Sequence, residues 1–122
     1  MKNYIFILLL FVMLLPTLIF ADTLINSCGI TLSSGGTRYY LEDNLTSEYH
    51  ANCIEVTANN VILDCQGNTI YVNGTSGKLI YGFSTTNNFT LMNCNLINNK
   101  THSESYGINL RLFSNVTIDN VN

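Results

Sequence analysis

Positive charge is scarce in this chain: five Lys and Arg among 122 residues, against eight Asp and Glu. A nucleic-acid-binding face needs clustered Lys and Arg, so that class of partner is excluded. Charged residues of both signs make up only 11% of the sequence, and its polarity comes instead from Asn, Ser, Thr, Gly and Tyr. Such a chain is too apolar and too rich in strand-forming residues to be disordered. Metal-ligand spacing is also missing. No C-x-x-C pair occurs, and His50 and His102 stand at no zinc-ligand interval from the cysteines. Met92 and Cys94 lie two apart with no His near them, too little for copper. No metal and no cofactor is expected. Absent too is any amphipathic helical pattern between the strand-like segments, which excludes an α/β fold with a doubly covered parallel sheet.

The N-terminus has a character of its own. Lys2 precedes an apolar run from Tyr4 to Phe20, interrupted by Pro16 and Thr17 and followed by the small Ala21. A positive start, an apolar centre and a small exit residue read as a secretory signal peptide over 1–21. The run falls short of the roughly 18–20 uninterrupted apolar residues of a spanning helix. Contact with a membrane is therefore expected only through this segment, if it is not cleaved. Cleavage removes Lys2 and leaves four basic and eight acidic residues, a net charge of −4.

What the chain has in abundance is a repeated phrase: an apolar strand, a polar turn ending in Asn, then an apolar-polar-apolar strand. It reads Ile54 to Leu63, then Phe83 to Leu91, then Ile108 to Ile118. The first anchors, 54, 83 and 108, are 29 and 25 apart; the turn asparagines Asn60, Asn88 and Asn115 are 28 and 27 apart. A period of that size, made of short strands and turns, signals stacked coils. Alternation along each strand points Ile54, Val56, Val61, Leu63, Cys65, Ile70 and Val72 inward, with Glu55, Thr57, Ile62 and Asp64 outward. Phe83, Phe89, Leu91 and Leu96, then Ile108, Leu110, Val116 and Ile118, are the inward sets of the next coils. Asn60, Asn88 and Asn115 suit a structural column, because Asn tolerates the left-handed backbone of a sharp bend and its amide can bond to the coil above and below. The expected organisation is a signal peptide, an entry segment with an incomplete first layer over 22–52 (47–52 as a loop), and coils over 53–122.

Four cysteines, Cys28, Cys53, Cys65 and Cys94, suit disulfides in an exported chain and allow three connectivities. Cys53–Cys65 is favoured as a staple between consecutive strands of one coil, leaving Cys94 as a small buried residue.

Cys28-Gly29, Gly36-Thr-Arg-Tyr-Tyr-Leu41, Cys53-Ile-Glu-Val56 and Asn60-Val-Ile-Leu-Asp-Cys-Gln-Gly67-Asn-Thr-Ile70 resemble the N-terminal region of exported right-handed parallel β-helix proteins of the pectate-lyase-like superfamily. The resemblance covers about 28–122 and implies an all-β, right-handed single-stranded solenoid with three parallel sheets per coil. It implies no single function. Relatives include polysaccharide lyases and hydrolases, carbohydrate-binding surface proteins and a copper-site maturation protein. Full-length relatives carry many coils and a cap, so further coils of the same chain are expected beyond Asn122.

The chemistry of catalysis is thin. A uronate lyase needs an Arg or Lys base beside acidic calcium ligands, and a glycosidase needs two carboxylates across a cleft. Glu55 with Asp64 is the only acidic pair on the best-ordered coil. Tyr81-Gly82 and Tyr106-Gly107 recur 25 apart, so their rings are candidates to stack in adjacent coils and receive flat sugar rings. Tyr39, Tyr40 and Tyr71 add to the set. Among five N-x-Thr sequons, those at Asn73 and Asn99 are the candidate glycosylation sites, because Asn88 and Asn115 belong to the bend column. The expected role is a non-enzymatic secreted or cell-surface protein, structural or adhesive, contacting cell-envelope or extracellular polysaccharide. The alternative is the front part of a polysaccharide lyase or glycoside hydrolase whose catalytic coils lie beyond residue 122.

Overall fold

A computed structural model describes residues 20–47, 52–73, 77–99 and 106–122. Nearly all of the expected signal peptide, most of the 47–52 loop, and both histidines lie outside the described residues. Among those described every regular element is a strand, and no helix is long and apolar enough to cross a membrane. The strands are β1 (Ala21–Ile25), β2 (Ile30–Leu32), β3 (Thr37–Leu41), β4 (Leu45–Ser47), β5 (Ile54–Val56), β6 (Val61–Asp64), β7 (Thr69–Asn73), β8 (Lys78–Gly82), β9 (Thr86–Asn99), β10 (Tyr106–Leu110) and β11 (Phe113–Val121).

They stack in parallel as a β-solenoid of about three turns. One ladder runs β1-β3-β6-β9-β11, a second β2-β5-β8-β10, and a third β4-β7-β9. The long β9 serves two ladders because its chain turns at Asn93, which takes φ 54° without leaving the strand pattern. Residues 30–47 already supply one strand to each ladder, and β1 adds a strand beside β3.

Like lies over like. Tyr39, Leu63, Leu91 and Ile118 form one column, Val61, Phe89 and Val116 a second, and Leu45, Ile70 and Leu96 a third. Leu63, Leu91, Val61 and Ile70 have no exposed surface. At roughly 25 cal/mol per Å² of apolar surface buried, each such side chain contributes about 1.5–3 kcal/mol. Among the described residues β11 pairs with β9 alone, and there Val116 and Ile118 are 38% and 53% exposed.

Three expectations are corrected. The column through Ile54 continues with Ile80 and Ile108, not Phe83. Leu79 and Ile80 fill the buried positions of β8, so Phe83 falls just past the strand and is exposed. Asp64 holds an outward position yet is 4% exposed, because Arg38 and Asn93 close over it. The disulfides are Cys28–Cys53 and Cys65–Cys94, separated by 25 and 29 residues, so neither is Cys53–Cys65. Each joins successive coils one residue out of strand register, at separations of 25 and 29 against offsets of 24 for Ile30 with Ile54 and 28 for Asp64 with Met92, whereas Cys53 and Cys65 flank strands of different ladders.

Corners are made by side chains that tolerate left-handed backbone. Asn60, Asn88 and Asn115 have φ of 56°, 58° and 53°, and the Asn88 Nδ2 donates to Asn60 Oδ1 at 2.8 Å. A second corner column, Gln66, Asn93 and Asn120, has φ of 53°, 54° and 50°, with Asn120 Nδ2 donating to Asn93 Oδ1 at 2.9 Å. Gly82 is needed for space instead: a Cβ there would meet the Phe113 ring at 2.5 Å and the Val56 carbonyl oxygen at 2.7 Å.

Two predictions follow from this packing. Gly82→Ala, which must displace an aromatic ring and a backbone oxygen, is expected to lower stability by about 1–3 kcal/mol, read from urea denaturation. Proteolytic mapping without reduction is expected to recover Cys28 linked to Cys53 and Cys65 linked to Cys94, and a peptide joining Cys53 to Cys65 would contradict the stacking order. Each bond closes a loop long enough to contribute roughly 3 kcal/mol.

Candidate functional site

The second ladder carries an outward row in which Thr31, Glu55, Tyr81 and Asn109 lie side by side across β2, β5, β8 and β10. The alternation that sends Ile54 and Ile80 inward sends Glu55 and Tyr81 out. Burial beneath its neighbours and a hydrogen bond with Glu55 push the Tyr81 phenol above its ordinary value. Both effects penalise the phenolate.

Beside this row the chain builds a cleft of roughly 200 Å³, lined by Lys78, Phe83, Tyr106, Asn109 and Arg111. Three local features assemble it. Tyr106 is the register partner of Lys78, so an aromatic and a cation meet across β8 and β10. Gly82 ends β8 without a side chain, and Phe83 turns outward with its ring 5.7 Å from that of Tyr81. The backbone N–H of Arg111 donates to the Gly82 carbonyl at 2.9 Å, fixing the next coil's cation beside Phe83. The Lys78 Nζ stands 4.5 Å from the centre of the Phe83 ring and 5.5 Å from that of Tyr81, and the Arg111 Cζ is 5.7 Å from the Phe83 centre. Within about 6 Å a cation is attracted to the negative face of a ring. Phe83 and Tyr106 remain 45% and 44% exposed. Chemically, the arrangement offers flat apolar faces, one neutral amide and two cations to a ligand in solvent.

A polar cluster of a different kind sits on the first ladder. Asp64 Oδ2 accepts from Arg38 Nη2 at 2.6 Å, while Oδ1 accepts from Asn93 Nδ2 at 3.0 Å and from the Gln66 N–H at 2.9 Å. Burial alone would raise this carboxyl; the hydrogen bonds from Arg38, Asn93 and Gln66 outweigh it and hold Asp64 below its ordinary value. The Asp64 hydrogen bond in turn raises the Arg38 guanidinium. Arg38, Asp64 and Asn93 come from three successive coils, so this carboxylate is a clamp.

The sequence-derived candidates are distributed accordingly. Tyr81 and Tyr106 do not stack on each other: Tyr81 registers with Asn109, and Tyr106 with Lys78. The repeat of Tyr-Gly misleads because β8 and β10 pair three residues out of that alignment. Tyr39 is buried, its hydroxyl accepting from the Ser34 N–H at 3.0 Å, while Tyr40 and Tyr71 are half-buried. Glu55 and Asp64 stand on different ladders. Cys94 is oxidised with Cys65 and offers no thiolate beside Met92. Asn73 and Asn99 are exposed register partners on the third ladder. Sequence reading missed Lys78, Phe83, Asn109 and Arg111. The available signal was that two of the few cations flank the strands of successive coils, Lys78 at the start of β8 and Arg111 just past the end of β10.

The clamp generates a pH prediction. The depressed Asp64 carboxyl contributes stability that is fully present above its unfolded value near 3.9 and is lost as pH falls through its folded value. Asp64→Asn is expected to cost about 1–3 kcal/mol at pH 7, discounted for the partly exposed Arg38 partner. Thermal unfolding is expected to show the gap between parent and variant narrowing as pH drops below 4.

Comparison of the chain with protein-family models, with curated proteins and with solved structures finds no match.

Proposed function

We propose that this chain is an exported, non-enzymatic β-solenoid of the pectate-lyase-like superfamily, right-handed in its winding, that serves a structural or adhesive role and contacts carbohydrate through the cleft between Phe83 and Tyr106. The observation that carries the reading is the pair of half-exposed rings, Tyr106 on β10 and Phe83 just past β8, lining one cleft together with Asn109. An aromatic face covers the apolar side of a sugar ring, and a neighbouring amide exchanges hydrogen bonds with its hydroxyls. Lys78, Tyr106 and Asn109 stand on paired strands, which hold a site with less motion than a loop does. The two disulfides are compatible with an oxidising compartment outside the cell, and the positive-apolar-small pattern of the first 21 residues supports export. The Leu63-Asp-Cys-Gln-Gly67 phrase and the three-ladder coil support the superfamily.

Affinity electrophoresis through gels holding extracellular polysaccharides tests the reading. The disulfide-bonded chain is expected to be retarded by at least one polysaccharide, and Phe83→Ala or Tyr106→Ala is expected to weaken that retardation about tenfold, equivalent to roughly 1.4 kcal/mol. Both residues are exposed, so the fold survives their loss. Equal retardation of parent and variants would remove the cleft from the function.

A further inference from the structure

We infer that Asn44 is a covalent modification site: its side-chain amide accepts an N-linked oligosaccharide from a polyprenyl-diphosphate donor. The inference rests on the export part of the reading above, because such donors serve chains that cross a membrane. It is independent of the cleft.

Five Asn-x-Thr triplets occur, at Asn44, Asn73, Asn88, Asn99 and Asn115, and the fold treats them differently. A transferring enzyme reads the asparagine amide together with the hydroxyl two residues on. In extended chain, residues two apart project from one face. Asn44 and Thr46 do so: both are exposed, while Leu45 between them is buried. Thr46 is the middle residue of β4, a strand of three residues that pairs with β7 alone among the described residues. A strand so short, held on one side, opens locally at little cost and admits a large enzyme. Glu42 and Asp43 precede Asn44 and are exposed, whereas no other triplet has a carboxylate within two residues on that side. The approach to Asn44 is therefore well solvated.

The two atoms of the amide divide the work. Asn44 Oδ1 accepts from the Thr69 N–H at 2.7 Å, as Asn52 Oδ1 does from Lys78 and Asn59 Oδ1 from Asn87. Among the described residues, Asn44 Nδ2 donates to no protein atom. A glycosylated amide keeps its carbonyl oxygen, so the bond to Thr69 survives modification. In the transfer, Nδ2 forms a bond to the first carbon of the sugar as the C–O bond to the diphosphate breaks, and Nδ2 gives up one proton. The other triplets are less well placed. Asn88 commits Nδ2 to Asn60 Oδ1, and φ of 58° and 53° turns Asn88 and Asn115 out of line with Thr90 and Thr117. Asn99 Nδ2 lies 3.4 Å from the Tyr71 hydroxyl. Asn73 and Asn99 are register partners, about 4.8 Å apart, so a glycan on one crowds the other. Their threonines, Thr75 and Thr101, lie outside the described residues. A glycan at Asn44 sets a solvated polymer beside the open edge of β4, where it hinders pairing with another chain.

The test offers the folded, disulfide-bonded chain to a purified oligosaccharyltransferase and its polyprenyl-diphosphate oligosaccharide. Enzymatic release of the glycan in heavy-oxygen water, followed by peptide mass mapping, reads occupancy at each asparagine. Asn44 is expected to be modified at least about tenfold more than any other, through its easier local opening. Thr46→Val keeps the Asn44 amide and its bond to Thr69. It is expected to lower transfer more than about tenfold, since a site that hydrogen-bonds a hydroxyl rejects the analogue lacking it. Transfer chiefly to another asparagine, transfer to Asn44 that Thr46→Val leaves intact, or no transfer to the folded chain would overturn the site. Each of those results, obtained on purified chain, leaves the reading of export and polysaccharide contact standing.

Discussion

Parallel pairing in constant register is the constraint on which this molecule depends. It sets each residue against its counterpart one coil away, so a side chain's environment is decided by what the neighbouring coils carry at the same step. Tyr39, Leu63, Leu91 and Ile118 can share a column because three are aliphatic and the hydroxyl of the fourth, Tyr39, accepts from the Ser34 N–H. The same rule produces the polar corners, where amide meets amide, and brings the cysteines of successive coils within one residue of register, close enough to bond. Outward rows follow it as well: Tyr81 lies beside Asn109, and the cleft forms next to them, where Lys78 meets Tyr106 and where Phe83 and Arg111 follow the ends of β8 and β10.

Corners and flat faces divide the labour. The flat faces bury aliphatic columns, which stabilise without direction. The corners supply specificity: left-handed asparagines turn the chain, and Asn88, Asn120 and Asn122 each donate to the asparagine one coil below. A slip of one residue would move amides off amides and put polar groups into the columns. The Arg38–Asp64–Asn93 clamp adds a charged tie across three coils, close to the corner that Gln66 turns. Removing Arg38 leaves the buried Asp64 Oδ2 without its partner, which is costlier than the clamp's net contribution.

The period and the Asn column were legible in the sequence because each combines composition with spacing. Asn60, Asn88 and Asn115 stand before apolar strands, and that pattern survives small variations in coil length. The second corner column was less visible, since Gln66 breaks the asparagine series before Asn93 and Asn120. Register within the second ladder was not legible. Phe83 looks like a core residue, and only the pairing of Ile54 with Ile80 shows that the strand begins earlier. The same offset separates Tyr81 from Tyr106. Disulfide pairing needed register too, because proximity along the chain favours Cys53 with Cys65 while stacking opposes them. The cleft draws residues from two coils and a corner, so no single stretch of sequence announces it.

A last consequence concerns how such a chain reaches its native state. Its strands pair not with nearby segments but with those roughly one winding away, at separations such as 24 for Ile30 with Ile54 and 28 for Val61 with Phe89. Apart from β1 with β3, 16 residues apart, loop-closure entropy is therefore similar for the rungs, and among the described residues no short hairpin offers a quick start. The first winding to close bears the full entropic penalty with little apolar area to offset it, whereas each later one adds to a template already formed. Assembly should accelerate after an initial lag and proceed in either direction from wherever it begins.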